Sequence, residues 1–146
     1  MSVEVTVEQP IAKPREEVAA FAMDPRNDRR WIGALTEVRT LTDGPVRPGT
    51  QVQRVAGFLG RRIEYVNEIT ELEPGRRLAM RSVKAPFPLQ VTYEFDDAPG
   101  GGTLARIRTG GDTGGYYRFA GPLLATMVKR GVARDLRTLK KLLEGA

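Results

Sequence analysis

Residues 121–144 read GPLLATMVKRGVARDLRTLKKLLE. Leu124, Met127, Val128, Val132, Leu136, Leu139, Leu142 and Leu143 recur there at three- and four-residue spacing, so they share one broad stripe of a long amphipathic helix. Such a stripe has to be covered by a second apolar surface. Upstream, the period changes from 3.6 to 2. Leu89–Phe95 alternates apolar and polar, the Gly100-Gly101-Gly102 run turns the chain, and Thr103–Thr109 alternates again. Further back, strands are expected over Leu35–Thr40, Gln51–Phe58, Arg62–Glu73 and Arg77–Ser82, separated by Asp43-Gly44-Pro45, Pro48-Gly49, Leu59-Gly60 and Pro74-Gly75.

At the start of the chain, Val3, Val5 and Val7 alternate with Glu4, Thr6 and Glu8 in a half-buried strand that Pro10 is expected to end. Pro14 followed by Glu16 and Glu17 favours a helix running to about Met23. Asp24-Pro25 breaks that helix, and Asp24 is placed to cap a second short one reaching Trp31. The order is thus strand, two short helices, six strands, long helix. It predicts an α+β fold in which a curved antiparallel sheet of about seven strands grips the C-terminal helix, leaving room for a ligand between them. Residues 1–146 are read as a single domain, and a chain of that length buries roughly 70% of the surface its unfolded form exposes.

Composition removes whole classes of chemistry. With no Cys there are no disulfides, zinc ribbons or thiol nucleophiles, and with no His there are no Ser-His-Asp triads or imidazole-bound metals. No metal and no cofactor is expected. The N-terminus lacks a basic n-region and an apolar h-region, and no apolar run reaches the ~20 residues of a membrane span, so a cytoplasmic location is expected. The net charge of +5 is confined to the end of the chain: residues 1–117 hold equal numbers of acids and bases, whereas Arg118, Lys129, Arg130, Arg134, Arg137, Lys140 and Lys141 face only Asp135 and Glu144. A basic helix suits anionic lipid or nucleic acid, although a solvated outer face is the commoner reason for one. Nucleic acid is the less favoured of the two partners.

Alternation also assigns the cavity face. Ile63, Tyr65, Asn67 and Ile69 point inward from strand four, with Glu64, Val66, Glu68 and Thr70 outward. Leu78, Met80 and Ser82 point inward from strand five, Leu89, Val91, Tyr93 and Phe95 from strand six, and Ala105, Ile107 and Thr109 from strand seven. Strand three is ambiguous. The candidate cavity residues are Tyr65, Asn67, Met80, Ser82, Val91, Tyr93, Ile107 and Thr109, joined by Met127 from the helix, and the candidate mouth residues are Trp31, Phe87, Tyr116 and Tyr117. The polar members of this set are uncharged at neutral pH, so they suit hydrogen bonding to a carbonyl or hydroxyl and include no ready general base. Gly110-Gly111-Asp112-Thr113-Gly114-Gly115 lacks the Walker spacing and lysine and is read as a turn, as is Gly100–Ala105 despite its formal G-x-G-x-x-A pattern.

Several short pieces now fall into a recognisable order. Asp24-Pro25-Arg26-Asn27 with Trp31, Glu71–Leu78, Tyr93-Glu94-Phe95 with Gly101-Gly102-Thr103, and Asp135-Leu136 with Leu139-Lys140 and Leu142-Leu143-Glu144 together resemble the polyketide cyclase/dehydrase branch of the START-like, or Bet v 1-like, helix-grip superfamily. The resemblance covers nearly the whole chain. It implies a deep cavity used for hydrophobic or amphipathic small molecules such as lipids, sterols, hormones and polyketides, with some relatives catalysing cyclisation or dehydration and many only binding. No position here matches a catalytic motif of that family. Three functions are therefore expected in order: binding or transport of a small hydrophobic molecule, a lyase-type polyketide cyclase or dehydratase, and a peripheral module docking through the basic helix on a membrane or nucleic acid. An exposed strand edge is also open to pairing two copies into a homodimer.

Overall fold

The computed structural model describes residues 2–58, 60–86, 88–112 and 121–145, without the side chains of residues 2, 3, 58, 112, 121 and 122. Seven strands run β1 (Ser2–Ile11), β2 (Leu35–Thr40), β3 (Gln51–Phe58), β4 (Arg61–Glu73), β5 (Arg77–Lys84), β6 (Gln90–Ala98) and β7 (Gly102–Asp112). They form one antiparallel sheet in the order β1-β7-β6-β5-β4-β3-β2, so every neighbouring pair except β1 and β7 follows directly in sequence. Between β1 and β2 stand α1 (Arg15–Ala22), a 3₁₀ turn at Pro25–Asn27 and α2 (Asp28–Trp31); α3 (Gly121–Leu143) closes the chain. This is the helix-grip architecture that the element order predicts.

Two local expectations are corrected. Pro10 does not end β1, which continues to Ile11 with Pro10 opposite Leu104. The strand lies at the sheet edge, where a residue without an N–H leaves no ladder bond unmade. Likewise, Gly110 and Gly111 lie within β7 opposite Glu4 and Val3, and are not a turn. A side chain at Gly111 would put its Cβ 1.9 Å from the Pro88 carbonyl oxygen, so the glycine allows the segment before β6 to pass directly over β7. The hairpin at Gly100–Gly102 forms as expected, with Gly100 and Gly101 at φ of 83° and 84°, the left-handed region that glycine adopts without strain. Asp24 accepts the Arg26 backbone N–H at 3.0 Å and caps the 3₁₀ turn.

Register breaks between Leu35 and Glu37 on β2, and at Val66/Asn67 and Ile69/Glu71 on β4, let the sheet bend around the helix. Its concave face and α3 bury two apolar clusters. The larger joins Val18, Ala19 and Ala22 of α1, Ile69, Leu78, Phe95 and Ala105 of the sheet, and Leu136 and Leu139 of α3. The smaller joins Val5, Ile63 and Leu124 near the other end of the helix. Two carboxylates pin α3 in place: Asp135 accepts the Gly33 N–H at 3.0 Å, and Glu144 accepts the Ala12 N–H at 2.8 Å.

Candidate functional site

Where the two clusters meet, sheet and helix separate to leave a cavity of about 200 Å³. Tyr65 and Asn67 of β4, Met80 of β5, Val91 and Tyr93 of β6, and Ile107 and Thr109 of β7 all border it. The alternation in these strands is therefore maintained across the sheet. Glu64 and Glu68 face outward, where Gln53 and Gln51 donate to them at 2.8 and 3.2 Å.

The other candidates lie elsewhere. Ser82 does not line the cavity; its hydroxyl accepts the Leu89 N–H at 2.9 Å, which fastens the end of β5 to the segment before β6. Met127 is half-buried and does not line the cavity; Val128, Val132 and Asp135, at the i, i+4, i+7 spacing of one helix face, line it instead. Trp31 is a buried wall residue, not a mouth residue: only 2% of it is exposed, and its ring meets that of Tyr93 edge-on at 5.7 Å between centroids. Phe87, Tyr116 and Tyr117 lie outside the described residues.

The cavity also holds a charge that alternation did not locate. Val52 and Arg54 are the inward residues of β3, and Arg54 reaches Asp28 of α2 with Nε and Nη2 at 2.9 and 2.8 Å from Oδ2. The pair is fully enclosed, with Arg54 4% and Asp28 1% exposed. Burial is the largest single influence on the Arg54 guanidinium and lowers its pKa, but the Asp28 carboxylate and the Tyr93 and Tyr65 phenols together hold it above its ordinary value. Burial pushes the Asp28 carboxyl up, against the opposing pull of Arg54. Because a guanidinium stays charged in proteins, Asp28 is the counter-ion that lets Arg54 sit inside. Arg54 Nη1 also lies 3.6 Å from the Met80 sulfur, which holds the fork against the cavity wall.

Asp135 is the second group that pattern reading passed over. On the sequence it is one acid among the bases of α3, yet the helix turns it toward the cavity, and burial raises its pKa against the Gly33 N–H and nearby Arg134. Its i+7 relation to Val128 was the available signal. Burial likewise raises the pKa values of the Tyr65 and Tyr93 phenols, with Arg54 pulling the other way, so both remain protonated donors.

Two buried polar atoms of this wall have no partner among the described residues: the Trp31 indole N–H and the Asn67 carbonyl oxygen Oδ1. Each unmet group costs roughly 1–3 kcal/mol relative to a paired one. One is a donor and the other an acceptor, so a ligand carbonyl can satisfy the Trp31 N–H and a ligand hydroxyl can satisfy either. The arrangement is an apolar chamber with a few fixed polar contacts, the usual composition of a small-molecule site.

A family model described as polyketide cyclase / dehydrase and lipid transport matches residues 2–144. No curated protein sequence matches the chain significantly. Among solved structures, TTHA0849 from Thermus thermophilus superposes with a TM-score of 0.83 at 19% identity, covering 98% of this chain and 99% of that one. The Zhui aromatase/cyclase from Streptomyces sp. R1128 gives 0.81 at 17% identity, with 99% and 94% covered. Ara h 8.0201 gives 0.72 at 12% identity, with both chains covered in full at 100%. At these identities the structures share a fold with this chain. No described helix is long and apolar enough to cross a membrane.

Proposed function

This chain belongs to the polyketide cyclase/dehydrase and lipid transport family, and we propose that it binds and carries a small, mainly apolar molecule bearing one carbonyl or hydroxyl group. The observation behind this reading is the unpartnered pair in the cavity wall, the Trp31 N–H and the Asn67 Oδ1, among otherwise largely apolar neighbours. The volume of about 200 Å³ exceeds the ~150 Å³ of an engineered cavity that takes up benzene. A single ring or a short branched chain fits that scale.

Trp31 is the sole tryptophan and borders the cavity, so its fluorescence reports occupancy directly. Titration with cyclohexanol, a single ring bearing one hydroxyl, should change the Trp31 emission saturably, and native mass spectrometry of freshly purified protein should show a bound apolar molecule. A non-saturable response together with a mass equal to the bare chain rules the carrier reading out.

Asp135 favours a second reading, a cyclase or dehydratase. A carboxyl with a raised pKa beside two phenols is a candidate proton acceptor at an activated carbon. Incubation with a short poly-β-carbonyl thioester separates the two functions: a carrier returns the compound unchanged, whereas an enzyme returns a product that has lost water, and Asp135→Asn abolishes that loss.

A further inference from the structure

The outward side of α3 carries a charge pattern that the cavity does not require. Val128, Val132 and Asp135 mark the cavity side of the helix, while Lys129, Arg130, Arg134, Arg137 and Lys141 are all exposed. At ~100° per residue, Arg130, Arg134, Arg137 and Lys141 fall within about 60° of one another, diametrically opposite the cavity face, in a straight row about 16 Å long. Leu123 lies on the same line about two turns before the row, and 63% of it is exposed.

Among the described residues of α3, the row meets an acid only where Arg134 lies near Asp135. Asp135 is turned inward, and Glu144 is held by the Ala12 N–H and by Lys140, the one α3 cation that forms a salt bridge among the described residues. Elsewhere the surface is laced with pairs, such as Arg15 with Asp97 and Arg106 with Glu8. Four α3 cations that form no salt bridge among the described residues thus stand on one straight face.

We propose that this face of α3 docks on an anionic lipid bilayer, with Arg130, Arg134, Arg137 and Lys141 among the headgroups and Leu123 entering the interfacial layer. A row of four or more cations on an amphipathic helix complements the negative potential of such a surface, and each cation near it is worth about a fivefold gain in affinity. The apolar Leu123 on the row favours lipid over nucleic acid, whose backbone offers it nothing. The docking is independent of what the cavity holds, although it would bring the cavity's covering helix to the membrane.

The test is cosedimentation with vesicles of phosphatidylcholine alone and of phosphatidylcholine mixed with phosphatidylglycerol. The protein should pellet only with the anionic vesicles and be released as salt rises from roughly 0.05 to 0.5 M. Combined Arg130→Gln, Arg137→Gln and Lys141→Gln should weaken binding on the order of a hundredfold; Arg134 stays because it neighbours Asp135. Leu123→Ser should weaken it severalfold. Melting curves check that the variants fold, and salt release of the unaltered chain tests the proposal without them. Binding that ignores lipid charge or salt, no binding at all, or tighter binding to mixed-sequence duplex DNA at equal salt would each overturn it.

Discussion

Arg54 on β3 and Asp28 at the start of α2 are joined by a hydrogen bond of 2.9 Å and an ion-pair contact of 2.8 Å to one carboxylate oxygen, across 26 residues of sequence. The pair ties the helical connection to the floor of the sheet. Its energetics are asymmetric, because the ions compensate each other only while both are present.

Removing one partner should therefore be severe. Asp28→Ala leaves a buried guanidinium without its counter-ion, and urea unfolding should show a loss of about 3–5 kcal/mol. The double change Asp28→Leu with Arg54→Met removes both charges and should recover most of that loss. A double variant as unstable as the single one would mean that packing, not charge, governs the site.

Asn67→Leu should separate binding from folding. Asn67 Oδ1 is buried without a partner among the described residues, so replacing the side chain with an apolar one removes an uncompensated group and should leave the melting temperature unchanged or raised. Loss of a hydrogen bond from a ligand hydroxyl should weaken binding by roughly 0.5–1.5 kcal/mol, a factor of about two to ten. Titration through Trp31 fluorescence, beside thermal unfolding, gives both quantities from one variant.

Asp135 should make stability depend on pH with a definite sign. Burial raises its folded pKa above the ordinary 3.8, so its favourable contribution is complete below the unfolded value and is lost as pH rises through the folded one. Asp135→Asn keeps an oxygen for the Gly33 N–H and removes the titration. The variant should melt higher than the parent at neutral pH, and the difference should shrink as pH falls toward 3.8 and below.

Gly111→Ala should be costly and Gly57→Ala harmless. The Cβ at position 111 would fall 1.9 Å from the Pro88 carbonyl oxygen, whereas that at 57 meets nothing within 4 Å. Displacing the segment over β7 should cost about 1–3 kcal/mol. Position 57 should change by less than about 0.5 kcal/mol, and parallel thermal melts compare the two.

The sequence alone determined the elements and the inward face of most strands, because both are written in local periodicity. Tyr65, Asn67, Tyr93, Ile107 and Thr109 stand on one wall since a two-residue period cannot change face without a bulge. The 23-residue α3 was legible from a stripe that no strand could produce. On β3, by contrast, Gln51, Gln53 and Val55 alternate with Val52, Arg54 and Ala56, and neither set is clearly the apolar one. A charged side chain is ordinarily assigned to solvent, so Arg54 could be placed inside only once the fold had brought Asp28 to it. Asp135 followed the same course, since its meaning lies in the rotation of α3 against the sheet and in the distant Gly33 N–H that it accepts. Tertiary structure decided these positions because pairing charges and orienting a helix depend on partners far apart in sequence, and no local period encodes that distance.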